Sequence, residues 1–567
     1  MKSLYIVGID VGGTNTDATL IHDGQVIGMA KAPTNHHALF ESTSEVLQKI
    51  LDYYPGKGII QLQLSTTLST NAIVEGTGTP TALVAVPGPG VNLDTLELGF
   101  PVYSVPGYVD HRGREVASLD RTAVLGAAFA AKRNGAQALA AAGKFSHRNP
   151  GQEQEIASII QDGGPQFEHI TLGHRLSGKA NFPRRMVTAY LNSSVAQHQA
   201  RFVEMIEELR SSHTGKVIEN VLILKADGGT MTLADSLERP VETILSGPAA
   251  SIMGAQALSK YVDENIVVVD IGGTTTDIAV IVNGEPVFER NGAVISGYRT
   301  LVPALLTQSV GLGGDSEIHS QTAHDGSVQF TLGPRRAGRA AALGGEALTP
   351  TDAAAALGLA DVGDRERSIQ ALKKFGAKFH LDEKTVAQRI LEAFTRQLKE
   401  AVEELYYSLE NVPLYTVSEI LAPPEIRPSA IVGLGAPAEV FIPLVAETLD
   451  LPYEVLPYSE GANAVGAGAA QPTAAITFHA DTELAVMTIP EMGLQEKIER
   501  SLLFDRKRAK QEALHHAAHY ARELGLPNPE DVQVVEEESF NVVRGFYTAG
   551  QIHTIRAQLR PRVRRIK

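Results

Sequence analysis

A two-lobed α/β fold is what this sequence predicts, and three observations carry the expectation. The chain has 567 residues, too many for one hydrophobic core. A block near the start recurs in the second half: Ile6–Asp17 reads IVGIDVGGTNTD and Ile266–Asp277 reads IVVVDIGGTTTD. Further on, Ser429–Pro437 reads SAIVGLGAP, an apolar strand, a glycine-rich turn and the start of a helix near Ala438.

The repeat sets the organisation. Asp10 aligns with Asp270, Gly12 with Gly272, Gly13 with Gly273, Thr14 with Thr274, Thr16 with Thr276 and Asp17 with Asp277, each pair 260 residues apart. Each copy reads as a β-hairpin. An apolar run ends at an aspartate, Gly-Gly makes the tight connection, and a β-rich run follows toward a second turn at Asp23-Gly24 or Asn283-Gly284. The composition of the first turn suits phosphate, because glycine lets backbone N–H groups approach an anion and threonine hydroxyls add donors. The candidate phosphate residues are therefore Gly12, Gly13, Thr14, Asn15, Thr16 and Asp17, with Gly272, Gly273, Thr274, Thr275, Thr276 and Asp277. Asp10 and Asp270, each at a strand end, are placed to hold a hydrated Mg²⁺. With Thr14 and Thr274 they are the candidate catalytic residues. No Gly-Lys-Ser/Thr follows and no helix starts there, so this is not a Walker loop.

The remaining segments supply a resemblance to the actin, sugar-kinase and Hsp70 superfamily. Ser429–Pro437 resembles its adenosine motif, in which Gly433, Gly435 and Ala436 leave room for base and ribose. Gly461–Gly468, GANAVGAG, is similar to its second connecting helix, expected to cross a first connector at Leu64–Gly76. The turn Val310–Ser316 matches a glycine-rich loop near the nucleotide, which adds Gly313 and Gly314. The expected division is 1–245 as an N-terminal lobe with an inserted subdomain, 246–475 as a C-terminal lobe, and 476–567 as an α/β extension, with nucleotide in the cleft between lobes.

Within that superfamily, most of the chain resembles the hydantoinase/oxoprolinase family (N-methylhydantoinase A-like). The motifs are DVGGTNTD at Asp10–Asp17, STTLSTNA at Ser65–Ala72, GGTM at Gly228–Met231, RPVETILSGPAA at Arg239–Ala250, TPTDA at Thr349–Ala353 and VVRGFYTAGQ at Val542–Gln551. Departures fall at Gly311–Ser316 (GLGGDS) and Ala342–Glu346 (ALGGE). The resemblance implies ATP and Mg²⁺ as cofactors and a cyclic amide of hydantoin or 5-oxoproline type as substrate, phosphorylated on its carbonyl for ring opening. It offers Thr66, Thr67, Asn71, Ser246 and Gly247 as substrate residues, a B-type polypeptide as candidate partner, and an oligomeric assembly. A sugar or small-molecule kinase, an ATPase that reactivates another protein, and a carboxylase subunit stay open.

Composition narrows the classes. The formal charge of −15 is spread along the chain, which argues against a nucleic-acid or anionic-membrane surface. There is no cysteine, so disulfides, thiol nucleophiles and thiolate metal sites are excluded. No signal-peptide pattern opens the sequence and no apolar run reaches a membrane span, so a soluble, cytoplasmic protein is expected. A helix is expected over Leu494–Leu524, with His515 and His519 on a solvated face rather than on a metal. A core-packing helix is expected over Glu383–Tyr407. Glu536–Glu538 reads as a solvent-facing strand edge, Arg560–Lys567 as a solvated tail, and His36-His37 as a loop.

Overall fold

In the computed structural model, residues 3–35, 38–212, 218–289, 291–322, 328–411, 426–526 and 528–567 are described; His36-His37 lies outside them. The first copy of the repeat forms β1 (Leu4–Val11) and β2 (Asn15–His22), followed by β3 (Gln25–Pro33), and β4 (Ile59–Thr66) runs parallel to β1. Asp23 and Gly24 have φ of 49° and 75°, and Asn283 and Gly284 have 51° and 75°. Positive φ at both central residues is the hairpin geometry that Asp-Gly and Asn-Gly favour. The six-stranded sheet is completed by Ile218–Leu224 and Thr230–Thr232 beyond β4.

The second copy builds a matching sheet. Ile266–Ile271 pairs antiparallel with Thr276–Val282 and parallel with Ala430–Leu434, as β1 does with β2 and β4. Each central strand is buried on both faces, which explains its near-continuous apolar run. Val7 and Ile9 enter one core with Leu62, Leu64 and Phe202. Ile6 enters another, shared with Met253, Val268 and Val465. Beneath the second sheet lies the Glu383–Glu410 helix, started by Asp382, whose side chain accepts from the Thr385 N–H at 2.9 Å. Its apolar stripe packs inward, with Phe394 stacked on Phe441 at 4.2 Å.

A parallel four-stranded sheet (Thr81–Val86, Val102–Ser104, Ala138–Gly143, Ile170–Leu172) is inserted after β4, and an antiparallel five-stranded sheet occupies Ala474–Leu559. The latter docks on the insert through Arg112, whose guanidinium grips Asp481 and also meets Glu483.

Three expectations are corrected. The small-residue helix, Ala462–Ala469, lies on the first sheet and crosses the Ser246–Leu258 helix, whereas Leu68–Val74 packs on Phe182–Ser212. The reason is that the Ser246–Leu258 helix is itself rich in small residues. A Cβ on Gly466 would sit 1.9 Å from the Ala250 carbonyl oxygen, and one on Gly254 would sit 2.4 Å from that of Ala462. The single helix expected over Leu494–Leu524 is a strand, Leu494–Lys497, and a helix, Arg506–Glu523, begun by Asp505 accepting from the Arg508 N–H at 2.8 Å. His515 and His519 are exposed on that helix. Residues 560–567 are docked, not solvated. The Arg564 N–H donates to Ala469, that of Ile566 to Ala257, and that of Lys567 to the Gly24 carbonyl, while the Ile566 side chain is buried. Apolar Val563 and Ile566 within the basic run provide the contact.

Candidate functional site

The two Gly-Gly turns meet in one cleft of about 640 Å³. Each turn is closed alike: the Gly12 N–H donates to the Asn15 carbonyl at 3.1 Å, and that of Gly272 to Thr275 at 2.9 Å. Register places Asp10 opposite Asp17 and Asp270 opposite Asp277, so four carboxylates converge. Asp10 is 7% exposed, and its Oδ1 is buried with no hydrogen-bond partner among the described residues. Burial, with the charges of Asp17 and Asp270 nearby, pushes the Asp10 carboxyl up to about 7. Asp277 is pushed up to about 6 by burial and by Asp270. Burial raises Asp270 although the Ser251 hydroxyl donates to its Oδ2 at 2.6 Å. Burial also raises Asp17, against the pull of Lys31 at 3.4 Å.

Carboxylates held this way call for a cation. Among the described residues no group of three or more His, Cys, Asp or Glu side chains forms a metal cage. The donor set instead suits a divalent ion that keeps most of its water, as Mg²⁺ does, and Asp10 and Asp270 are the residues that would face it.

Thr14, Asn15, Thr274 and Thr275 line the cleft with Gly12, Gly13, Gly272 and Gly273. Thr16 and Thr276 do not. Thr16 is the second residue of its strand and Thr276 the first of its own, opposite Val11 and Ile271, and the pleat turns each side chain to the face away from Asp17 or Asp277. Both are fully buried, Thr16 Oγ1 bonded to Thr34 Oγ1 at 2.9 Å and Thr276 Oγ1 donating to the Leu312 carbonyl at 2.6 Å. Their place as phosphate donors is therefore withdrawn.

Gly314, Gly435 and Ala436 line the cleft. Gly435 has φ of 92°, and a Cβ there would meet Asp270 Oδ1 at 2.9 Å. Gly433 and Gly313 are structural instead. A Cβ on Gly433 would overlap Ile442, so this glycine seats the Ala438–Leu449 helix on its strand. One on Gly313 would lie 2.6 Å from the Gly272 carbonyl oxygen, so the Val310–Ser316 loop braces the second turn.

Of the residues suggested for substrate, Thr66, Thr67, Ser246 and Gly247 come together but do not line the cleft. The Ser246 hydroxyl donates to the Thr66 carbonyl at 2.8 Å, and Thr67 Oγ1 to the Val11 carbonyl at 3.3 Å. Asn71, on the Leu68–Val74 helix, is also outside it.

Sequence reasoning missed several cleft residues. Asn463 Nδ2 lies 3.4 Å from Asp270 Oδ2, and its Oδ1 accepts from Ser251 at 3.1 Å. Arg336, held by Asp315 at 2.7 Å, brings a cation beside the second turn, and Lys31 brings one beside the first. Val440 and Phe441 add an apolar wall.

The family model described as Hydantoinase/oxoprolinase matches residues 185–476, and the Hydantoinase/oxoprolinase N-terminal region matches 6–164. The chain is 28% identical over 395 residues to caprolactamase subunit alpha of Pseudomonas jessenii, covering 64% of this chain and 55% of that protein. It is 25% identical over 454 residues to the acetophenone carboxylase gamma subunit of Aromatoleum aromaticum, covering 71% and 59%. The chain thus spans less than two thirds of the length of these two relatives. The crystal structure of the ATP-dependent caprolactamase from Pseudomonas jessenii superposes with a TM-score of 0.72 at 20% identity, covering 99% of this chain and 87% of that one. The fold is the two-lobed, actin-like one, with a duplicated hairpin. Among the described residues no helix is long and apolar enough to cross a membrane.

Proposed function

This chain belongs to the hydantoinase/oxoprolinase family, and on that premise we propose that it is the nucleotide-handling part of an ATP-dependent amidohydrolase that opens a cyclic amide. The observation that carries the reading is the convergence of Asp10, Asp17, Asp270 and Asp277 from two copies of one hairpin, with Asp10 Oδ1 buried and unpartnered among the described residues. The relatives support it, since a caprolactamase takes its name from a lactam and is described as ATP-dependent.

When bound, ATP supplies the phosphoryl group that activates an amide carbonyl, and Mg²⁺ the positive charge among the phosphates. The residues of the chain do the rest. Asp10 and Asp270 orient the hydrated ion, and Ser251 and Asn463 fix the Asp270 carboxylate that faces it. Thr14, Thr274, Thr275 and the turn backbones surround the phosphates, with Arg336 and Lys31 as flanking cations. Gly435 and Ala436 keep the backbone clear for a nucleoside, and Phe441 gives it an apolar contact. Because the relatives are named as subunits, the reading assigns completion of ring opening to a B-type polypeptide.

The similarity to a carboxylase subunit favours one second reading, in which the phosphoryl acceptor is the oxygen of an enolised ketone. ATP turnover measured with lactams, hydantoins and 5-oxoproline, with and without the B-type polypeptide, tests both. A cyclic amide should raise ADP release and yield a ring-opened amino acid. Stimulation by a ketone with bicarbonate instead transfers the assignment to the carboxylases. A stable phosphorylated sugar, or stimulation by a protein alone, overturns both readings.

A further inference from the structure

A second cavity, of about 340 Å³, shares no residue with the aspartate cleft. Three stretches distant in sequence enclose it: the segment after the second hairpin, the Lys179 loop of the insert, and the strands around Val535 and Arg556 of the five-stranded sheet. Its walls are largely apolar, with Pro286, Leu301 and Pro561 buried and Phe288 partly exposed.

Set in these walls are charges without counter-charges. Arg556, Arg560, Glu285 and Glu289 line the cavity, and among the described residues none of their side chains makes an ion pair or hydrogen bond. Lys179 and Glu536 also line it but pair with each other at 3.0 Å. Glu536 stands opposite Arg556 in the strand register, yet its ion pair goes to Lys179. Glu289 is half-buried, and burial raises its carboxyl above the usual range. Glu285 and Arg560 are exposed to solvent, whereas Arg556 and Glu289 are half-buried; an unpaired half-buried charge beside apolar walls is costly, and a ligand group of opposite charge relieves it. The walls therefore ask for one anion and one cation, joined by an apolar body. The volume is within the range of small-molecule sites.

We propose that this cavity binds a small zwitterionic amino acid. Its carboxylate lies on Arg556 and Arg560, its ammonium on Glu289, and its aliphatic body on Phe288, Leu301 and Val535. Opening a cyclic amide yields a molecule of this class, so if the amidohydrolase reading holds, the cavity is a product site away from the cleft; the binding claim stands without it.

Titration calorimetry with 6-aminohexanoate tests the proposal, with hexanoate and hexylamine as single-charge controls. The zwitterion should bind wild type and Asp10→Asn alike, and each control should bind about tenfold more weakly or worse. Arg556→Gln and Glu289→Gln should each weaken the zwitterion by about tenfold or more while melting as wild type does. If Arg556→Gln melts early, Arg560→Gln carries the same test. Three results overturn the proposal: no heat with 6-aminohexanoate at millimolar concentration, controls binding as tightly, or binding that survives the charge variants. Loss in Asp10→Asn alone would place the ligand in the cleft and also overturn it. No ATP turnover enters the assay, so its failure leaves the amidohydrolase reading untouched, and failure of that reading leaves the cavity's ligand standing.

Discussion

Asp10→Asn should leave an apo protein that is more stable at neutral pH than the wild type and much slower in turnover. The stability half follows from burial. The Asp10 carboxyl lies at about 7 in the fold against an ordinary 3.8. Raising the carboxyl from 3.8 to about 7 is worth about 4 kcal/mol between the charged and neutral forms. That is an upper bound, because Asp270 and Asp277 are raised by the same burial and relax once one charge is gone. A carboxyl raised on folding contributes its full stability below about pH 4, and the contribution is lost as pH climbs to about 7. Asparagine has nearly the same shape and no charge. The advantage of Asp10→Asn in urea unfolding should therefore widen by about 1–3 kcal/mol between pH 5 and pH 8, and stay level above. On the proposed function the same substitution removes a carboxylate assigned to the metal, so ADP release should fall by about two orders of magnitude, about 3 kcal/mol of barrier. Asp17→Asn, beside Lys31, should slow turnover less. Unfolding across pH and steady-state ADP release on the two variants decide the matter. A variant less stable at every pH, or one turning over at the wild-type rate, would falsify this account of Asp10.

Gly466→Leu places a side chain where the Ala250 carbonyl stands, so the helix crossing should lose about 1–3 kcal/mol or more, and an unmoved urea midpoint would show the crossing to be loose. Mg-ATP at a hundred times its Kd should add about 2.7 kcal/mol to stability; a melt indifferent to ATP, ADP and a non-hydrolysable analogue removes the nucleotide from the reading. Asp481→Ala leaves the Arg112 guanidinium, 7% exposed, without its main partner and should cost about 3–5 kcal/mol, whereas a loss under about 1 kcal/mol would mean that water replaces it freely.

The hairpins are legible in the sequence because their turn chemistry is local: Asp-Gly and Asn-Gly name their own backbone conformation, and the repeat says the feature occurs twice. Strand parity is equally local but easy to misapply. Thr14 and Thr16 look alike in a motif, yet only Thr14 belongs to the turn, while Thr16 is already in a strand with its side chain turned inward. Arg336, Lys31 and Ser251 could not be found this way, since each comes to the cleft from an element placed by tertiary packing. Asn463 did leave a trace as the one polar side chain in GANAVGAG, a run otherwise suited to close helix contact. In residues 560–567 the basic side chains dominated the reading, and the spacing of Val563 and Ile566 held the information that mattered.

Built from two copies of one hairpin alone, the cleft would offer the same chemistry to either end of whatever lay across it. A reaction in which one end of a molecule is cut and the other merely held needs a head and a tail. That polarity resides in what was never copied. Among the described residues that line the cleft, Gly435, Ala436 and Phe441 come from the chain after the strand beside the second hairpin, while Lys31 stands 3.4 Å from Asp17 and Asp277 has Ser309 instead. Exchanging residues between the two turns would therefore disturb charge and leave direction intact.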